Sequence, residues 1–378
     1  MGFFLLNKLN KGIKIMKKII TSESVNKGHP DKTCDIIADA MLDELLKQDK
    51  STQCALECAI KNDKLFIYGE VTSNAIVNYE EVARKVLKEI GYTNDFTIIS
   101  EISKQSPDIN QAVVKDELMA NDQGIIFGYA CNDTVECMPL PIMVSHKLMM
   151  KYEEFRKENS NLYFPDAKSQ VSVVYEDNKP VAFDTILISV SHSEELSTDE
   201  IEKTIKEKVI NVVLEEYGKF VTKDVKYIIN PSGKFTIWGS FGDSGCVGRK
   251  IVVDTYGGVG KVGGGCFSSK NATKVDRSSA YYCRYVAKNL VANGLCDMCE
   301  IQVSYGIGLP DPISMYIETY GTNKVSMDTI YEIVNNNFSF RLSNIIEELG
   351  LLNPIYKDTA CYGHFGRNEF SWEQFKKL

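Results

Sequence analysis

Apolar positions along the chain switch repeatedly between a helical and a strand period. From Lys32 to Gln48, Ile37, Met41 and Leu45 recur at four-residue spacing with Ala38, Leu42 and Leu46 beside them, which predicts an amphipathic helix. Leu65 to Val71 is apolar and β-prone, and Tyr79 to Ile90 is helical and stops at Gly91, a C-cap signal. Val171–Glu176 and Val181–Ser191 flank the run Asp177-Asn178-Lys179-Pro180 and predict a hairpin. Ser197 and Glu200 form a capping box before the periodic set Ile201, Ile205, Val209 and Val212. Ile228 to Trp238 reads as a strand with a turn inside, Asp276 to Asn293 as a helix stopped by Gly294, and Ile313 to Thr319 as a further strand. Such strand-and-helix patterns return about three times, in blocks of roughly 110 residues, without enough identity between blocks to prove a repeat. The pattern predicts an α+β fold of layered sheets covered by helices.

Length and charge narrow the function classes. A chain of 378 residues has room for two or three domains. With 44% hydrophobic and 25% charged residues it has globular composition, which excludes disorder. Lys and Arg total 43 against 51 Asp and Glu, a net charge of −8, which argues against nucleic acid and against an anionic membrane surface as partners. Apolar stretches such as Phe3 to Leu6 are far too short to span a bilayer. The eleven scattered cysteines suit a reduced, cytoplasmic chain. Cys296 and Cys299 form a lone CxxC with no second pair at zinc spacing, which argues against a metal or redox role. Residues 1–15 read as an N-terminal extension, with neither a secretory core nor the Ser or Thr that myristoylation wants at position 6, and Met16 reads as a start.

Candidate chemistry sits in glycine-bearing turns. Thr21 to Lys32 runs directly into the first helix, so His29, Asp31 and Lys32 stand at a natural anion site; a plain helix cap by Asp31 is an equal alternative. Val253 to Lys274 is glycine-rich and punctuated by Lys261, Lys270 and Lys274, which suggests a phosphate-directed loop; a flexible hairpin with solvated lysines is the bland alternative. It is not a Walker loop, because Val262 follows Gly260-Lys261. Asn230 to Lys250 adds Lys234, Asp243, Arg249 and Lys250, and Pro165 to Gln170 places Asp166 and Lys168 on one face of a strand. In an acidic chain, this many cations on glycine turns points to a highly charged phosphate ligand, triphosphate before monophosphate. No catalytic triad, HExxH or GxGxxG after a strand is present, and the four histidines are too dispersed for a zinc site. His146, inside an apolar helix, reads as packing rather than as a ligand.

The runs Gly28–Lys32 (GHPDK), Lys104–Gln111, Asp122–Ala130, Pro165–Val171, Gly248–Gly258 (GRKIVVDTYGG), Lys274–Ser278 and Tyr362–Arg367 together resemble the S-adenosylmethionine synthase (methionine adenosyltransferase) family, over nearly all of Thr21 to Trp372. The resemblance implies three similar domains about a pseudo-threefold axis, each a sheet covered by helices, with bounds near 16–117, 118–228 and 229–378. It implies synthesis of S-adenosylmethionine from ATP and L-methionine, by sulfur attack on C5′ and hydrolysis of the released tripolyphosphate to phosphate and diphosphate. It also implies a homodimer or homotetramer with shared sites. Carried over by motif, His29 and Lys168 are the catalytic pair. His29, Asp166, Lys168, Lys234, Phe235, Asp243, Arg249, Lys250, Cys266 and Lys270 line the ATP site, and Glu70, Gln105, Asp243 and Lys274 hold methionine. Asp31 and Asp276 would each give one carboxylate to Mg²⁺, about two ions per site, and Glu57 would bind K⁺. Ser106 to Lys115 resembles the family's loop over the site. The sequence departs from the family at Trp238–Phe241, Ser268–Asn271 and Asn121, none of which removes a proposed ligand. Two other classes compete: a phosphotransferase using ATP on another acceptor, and a non-catalytic nucleotide-binding subunit. The intact set of cations and carboxylates argues against the second.

Overall fold

The computed structural model describes residues 17–104 and 118–378; the expectations for residues 1–15, Met16, Gln105 and the Ser106–Lys115 loop lie outside the described residues. In chain order the first elements are β1 (Lys17–Val25), α1 (Pro30–Gln48), β2 (Gln53–Lys61), β3 (Lys64–Thr72), α2 (Tyr79–Ile90) and β4 (Thr97–Ser103). Next come β5 (Gly124–Cys131), α3 (Leu140–Glu158), β6 (Tyr163–Glu176), β7 (Lys179–His192), α4 (Thr198–Ile205) and β8 (Lys226–Ile229). The last are β9 (Gly245–Cys246), α5 (Val275–Ala292), β10 (Met298–Tyr305), β11 (Ser314–Glu318), α6 (Met327–Asn337) and α7 (Leu342–Glu348).

Among the described residues three sheets form, in the orders β1-β6-β7-β8, β11-β10-β5 and β4-β3-β2-β9. Each draws strands from distant parts of the chain. β1 pairs antiparallel with β6, β5 with β10, and β2 with β9. One long buried helix packs on each sheet: α3 on β1 and β6, α5 on β5 and β10, and α1 on β2 and β9. These three helices meet in a single apolar core. Strand exchange brings the segment after β1 against β6. Val25 is in register with Lys168, and Asn26 N and Gly28 N donate to Ala167 O and Pro165 O at 2.9 and 3.0 Å.

Two local expectations need correction. The strand read over Ile228–Trp238 ends at Ile229, because Asn230 turns to φ +43° and Gly233 to φ +80°, and Pro231 between them has no N–H for a ladder. The apolar face of the helix from Thr198 passes through Val213, which is buried, and not Val212, which is exposed. Lys206–Ile210 is a π-helical stretch, and its wider turn keeps every fourth residue, Ile201 to Val213, on one line. The capping box at Ser197, the Gly91 cap of α2 and the Asp177–Asn178 hairpin form as the sequence predicts. Cys296 and Cys299 are buried in the core at the start of β10.

Candidate active site

Pro30 occupies the first position of α1 and His29 caps it. The chain can pass so close to β6 only without a side chain at position 28, where a Cβ would stand 2.5 Å from the Pro165 carbonyl carbon. His29 Nδ1 accepts from Asp31 N at 3.2 Å, so the neutral ring carries its proton on Nε2. Burial, then the charges of Lys250, Lys168 and Lys32, push its pKa down to about 2. His29 is therefore a neutral hydrogen-bond donor among cations. Asp31, almost fully buried, accepts Lys250 Nζ at 2.6 Å and Cys246 N at 3.0 Å, and Arg249 Nε stands 3.5 Å away.

Asp31 opens a row that the sequence pattern had not singled out. Asp31, Asp35, Asp39 and Asp43 are spaced by four and all buried on one face of α1. Asp35 accepts Gly248 N at 2.9 Å, and Asp39 accepts Ser269 N at 2.8 Å and a fork from Arg277. Asp43 accepts Tyr356 N and Lys357 N. One helix thus positions both loops that carry the phosphate-directed cations, Cys246–Lys250 and Cys266–Lys270. Behind it Lys32, fully buried, bridges Asp35 at 2.8 Å and Asp254. Burial works against its charge, but Asp254 and Asp35 outweigh burial and hold the ammonium firmly protonated. The signal was in the sequence as an acidic residue every fourth position, overshadowed by its apolar neighbours.

A second group gathers at the start of α5. Lys270 Nζ lies 2.6 Å from Asp276 Oδ2 in the first helical turn. Gly265 is pressed against the Asp276 carboxylate, leaving no space for a Cβ. Glu57 on β2 is half-buried; burial raises its pKa, against the pull of the nearby Lys270. Burial likewise raises the Cys266 thiol, again opposed by Lys270. Lys274 caps α5, and burial lowers its pKa, opposed by Asp122 and by Glu70 on β3. The two groups adjoin through α1: Arg277 donates to Lys270 O at 3.1 Å and forks onto Asp39, and a Cβ on Gly248 would stand 2.7 Å from Cys266.

Of the remaining predicted residues, Asp166, Lys168 and Asp243 lie near the His29 group. Asp166 Oδ2 accepts Gly239 N at 2.9 Å while its buried Oδ1 has no partner, and burial pushes its pKa up to about 6. Lys168, two positions on, is exposed, so alternation makes the two neighbours without giving them equal depth. Asp243 is exposed and close enough for its charge to bear on His29. Phe235 N donates to the ring Nε2 of His192 at 3.1 Å, and Phe235 O accepts His192 N at 2.9 Å. Lys234 beside it is exposed. Trp238, a departure from the family pattern, stacks into an aromatic cluster with Tyr92 at 4.7 Å and Phe164 at 6.1 Å. Lys261 does not join the other cations of its loop; it pairs with Glu300 at 2.6 Å. His146 is buried beside Ser24 Oγ at 2.8 Å, as a packing residue. No cluster of three or more His, Cys, Asp or Glu suited to a metal occurs among the described residues, so Asp31 and Asp276 stand as single carboxylates.

Comparison with known proteins covers nearly the whole chain. Family models for the S-adenosylmethionine synthetase N-terminal, central and C-terminal domains match residues 17–114, 117–235 and 237–374. The chain belongs to the S-adenosylmethionine synthetase family. The S-adenosylmethionine synthase of Mesoplasma florum is 48% identical over 374 residues, covering 96% of this chain and 99% of that protein. Those of Mycoplasma capricolum and Mycoplasma mycoides are each 48% identical over 375 residues, covering 96% of both partners. As a synthetase of this family, the chain makes S-adenosylmethionine from ATP and methionine, with the family's general dependence on metal ions. No described helix is long and apolar enough to cross a membrane.

Proposed function

We propose that the thioether sulfur of methionine attacks C5′ of ATP, forming the S–C5′ bond as C5′–O5′ breaks and tripolyphosphate leaves, and that water then splits tripolyphosphate into phosphate and diphosphate. The carrying observation is His29: a buried, neutral imidazole with its Nε2 proton free, close enough to Lys250 and Lys168 for their charges to bear on it. A sulfur nucleophile needs no general base, so the chemistry demanded of the protein is stabilisation of charge at the departing oxygen. His29 Nε2–H donates toward O5′ or its phosphate without adding a counter-charge that would trap the product. Lys168, Arg249, Lys250 and Lys270 hold the polyphosphate, and Asp166, Lys234, Phe235, Asp243 and Cys266 line the ATP site. Glu70, Asp243, Lys274 and Gln105 receive methionine, both signs of charge matching a zwitterion.

The single carboxylates Asp31 and Asp276 fit Mg²⁺, a hard cation that takes oxygen donors and fills its remaining positions with phosphate oxygens and water. Each is charge-balanced by one lysine at 2.6 Å, Lys250 and Lys270, a pairing that polyphosphate can reorganise. When bound, Mg²⁺ supplies positive charge against the polyphosphate. Glu57, half-buried near Lys270, is the candidate K⁺ ligand. We further infer a homodimer with shared sites, because apolar side chains stand exposed on the sheets at Phe66, Ile99 and Ile125. A reduced cytoplasmic setting suits the eleven free cysteines.

The test is incubation with ATP and methionine, followed for S-adenosylmethionine and both phosphate products, with and without chelator and K⁺. Undiminished turnover in excess chelator overturns the metal roles, and release of tripolyphosphate intact overturns the hydrolytic half.

A further inference from the structure

A cavity of about 430 Å³ opens between α1, α2 and the segment from Pro354 to Phe370, apart from the residues assigned to adenosyl transfer. That volume suits a small ligand. Ile36, Val86 and Ile90 give it an apolar wall. Besides Lys357, which is paired with Glu89, two cations line it. The Lys27 ammonium makes no hydrogen bond or ion pair with any described residue and lies 5.8 Å from the Tyr362 ring centre. Arg367 spends one guanidinium nitrogen on Asp358 O at 2.6 Å and holds another 3.5 Å from Glu369, but its Nε–H is buried and has no acceptor. An orphaned N–H of this kind destabilises the fold, and an acceptor from a ligand would recover that loss. Both charges bear on the same buried thiol, Cys361, which also lines the cavity, so they act on one place.

The acids around the cavity limit the ligand. Glu89 is already paired with Lys357 at 2.6 Å, while Asp358 and Glu369 are exposed carboxylates that disfavour a second negative charge nearby. A monoanion with an apolar body satisfies every wall. We propose that this cavity binds a small organic carboxylate, its acid group between Lys27 Nζ and Arg367 Nε and its body against Ile36, Val86 and Ile90. The site gives a use to Arg367, the last residue of the Tyr362–Arg367 run, which the adenosyl chemistry leaves without one. Lys27 sits in the turn that ends at His29, whose N donates to Asn26 O at 3.0 Å, so the bound acid would touch the same turn that caps α1.

Calorimetric titration of the full chain with 4-phenylbutanoate tests this. Saturable binding is expected with a dissociation constant on the order of 1 mM or tighter. Lys27→Met and Arg367→Met should each weaken it about tenfold or more, and 4-phenylbutanol, lacking the carboxylate, should bind about tenfold more weakly. Lys168→Met should leave it unchanged, which separates this cavity from the adenosyl site. The absence of saturable binding, its loss in Lys168→Met, or its indifference to Lys27→Met overturns the proposal. Should Arg367→Met fail to fold, Lys27→Met decides alone, since the Lys27 ammonium makes no bond that the fold depends on.

Discussion

Helices α1 and α5 begin on one plan. His29-Pro30-Asp31-Lys32 and Lys274-Val275-Asp276-Arg277 each place a basic residue at the cap, an aspartate in the first turn and a buried cation next. In both, the aspartate pairs at 2.6 Å with a lysine from a neighbouring loop, Lys250 or Lys270. In both, the buried cation is held by aspartates of α1: Lys32 by Asp35, Arg277 by Asp39. The third buried helix, α3, starts Pro139-Leu140-Pro141 with no acid in its first turn. The two ends differ in finish. The Asp31 side chain is 1% exposed and has backbone and side-chain donors, whereas that of Asp276 is 20% exposed and has one lysine. The cap His29 accepts Asp31 N, while Lys274 makes no capping bond. The α1 end is thus preorganised within the chain, and the α5 end is left open, as suits an end completed by ligands.

The shared plan is broken most severely at the buried cations. Lys32→Met and Arg277→Met should each cost about 3–5 kcal/mol in denaturant unfolding, because each leaves uncompensated buried carboxylates. Similar losses would support the equivalence of the two ends, and a mild Arg277→Met would break it. Next comes the chemistry at the α1 end. Lys168→Met should lower kcat about 10²–10³-fold, or about 3–4 kcal/mol, with a much smaller change in the KM for ATP. A rise in KM alone would reassign Lys168 to ground-state binding.

Exposure sets up a direct contrast. Asp31→Asn should destabilise the fold by about 1–3 kcal/mol and Asp276→Asn by less than about 1 kcal/mol, since only the first sits in a buried network. Equal thermal shifts would show that the openness of the α5 end has no energetic meaning. Smaller still is the pH dependence. His29 has a pKa of about 2 in the fold against 6.5 ordinarily, so the unfolded chain binds the extra proton. Its stabilisation is complete above pH 6.5 and is lost as pH falls from there toward 2, so His29→Asn should flatten acid unfolding in that window. Asp166 has the opposite sign. Its pKa is raised from 3.8 to about 6, so its contribution is present below pH 3.8 and lost as pH rises through 6, and Asp166→Asn should remove that decline. The smallest effects are expected from Lys261→Met, outside both ends, and from deletion of residues 1–15; activity in each should stay within about twofold of the full chain. A large loss from Lys261→Met would restore the whole glycine loop to the site.

How much of this was legible depended on burial. α2, with one apolar face and a glycine cap, shows its bounds in the sequence, Tyr79 to Ile90. β5 and α3 are buried on enough sides that no single period survives; Leu140 to Glu158 hides His146, Glu153 and Arg156 among its core residues. The acidic row of α1 was visible in spacing but not in meaning, because an aspartate every fourth residue ordinarily marks a solvated face. Here each one is buried against a backbone N–H or a cation from elsewhere in the chain.

The sequence by itself determined the chemistry and its family: residue types at motif spacing name the cations, the carboxylates and the cap histidine, because those properties are local. Tertiary structure alone decided which of them lie together. The β1–β6 register sets His29 beside Lys168, and the α1 carboxylates fix the two cationic loops at about 6 Å steps along a helix. It also removed Lys261 to Glu300 and paired Lys270 with Asp276. Those outcomes depend on strands paired across more than a hundred residues, as Val25 with Lys168, and long-range pairing of that kind leaves no periodic trace in the segments it joins.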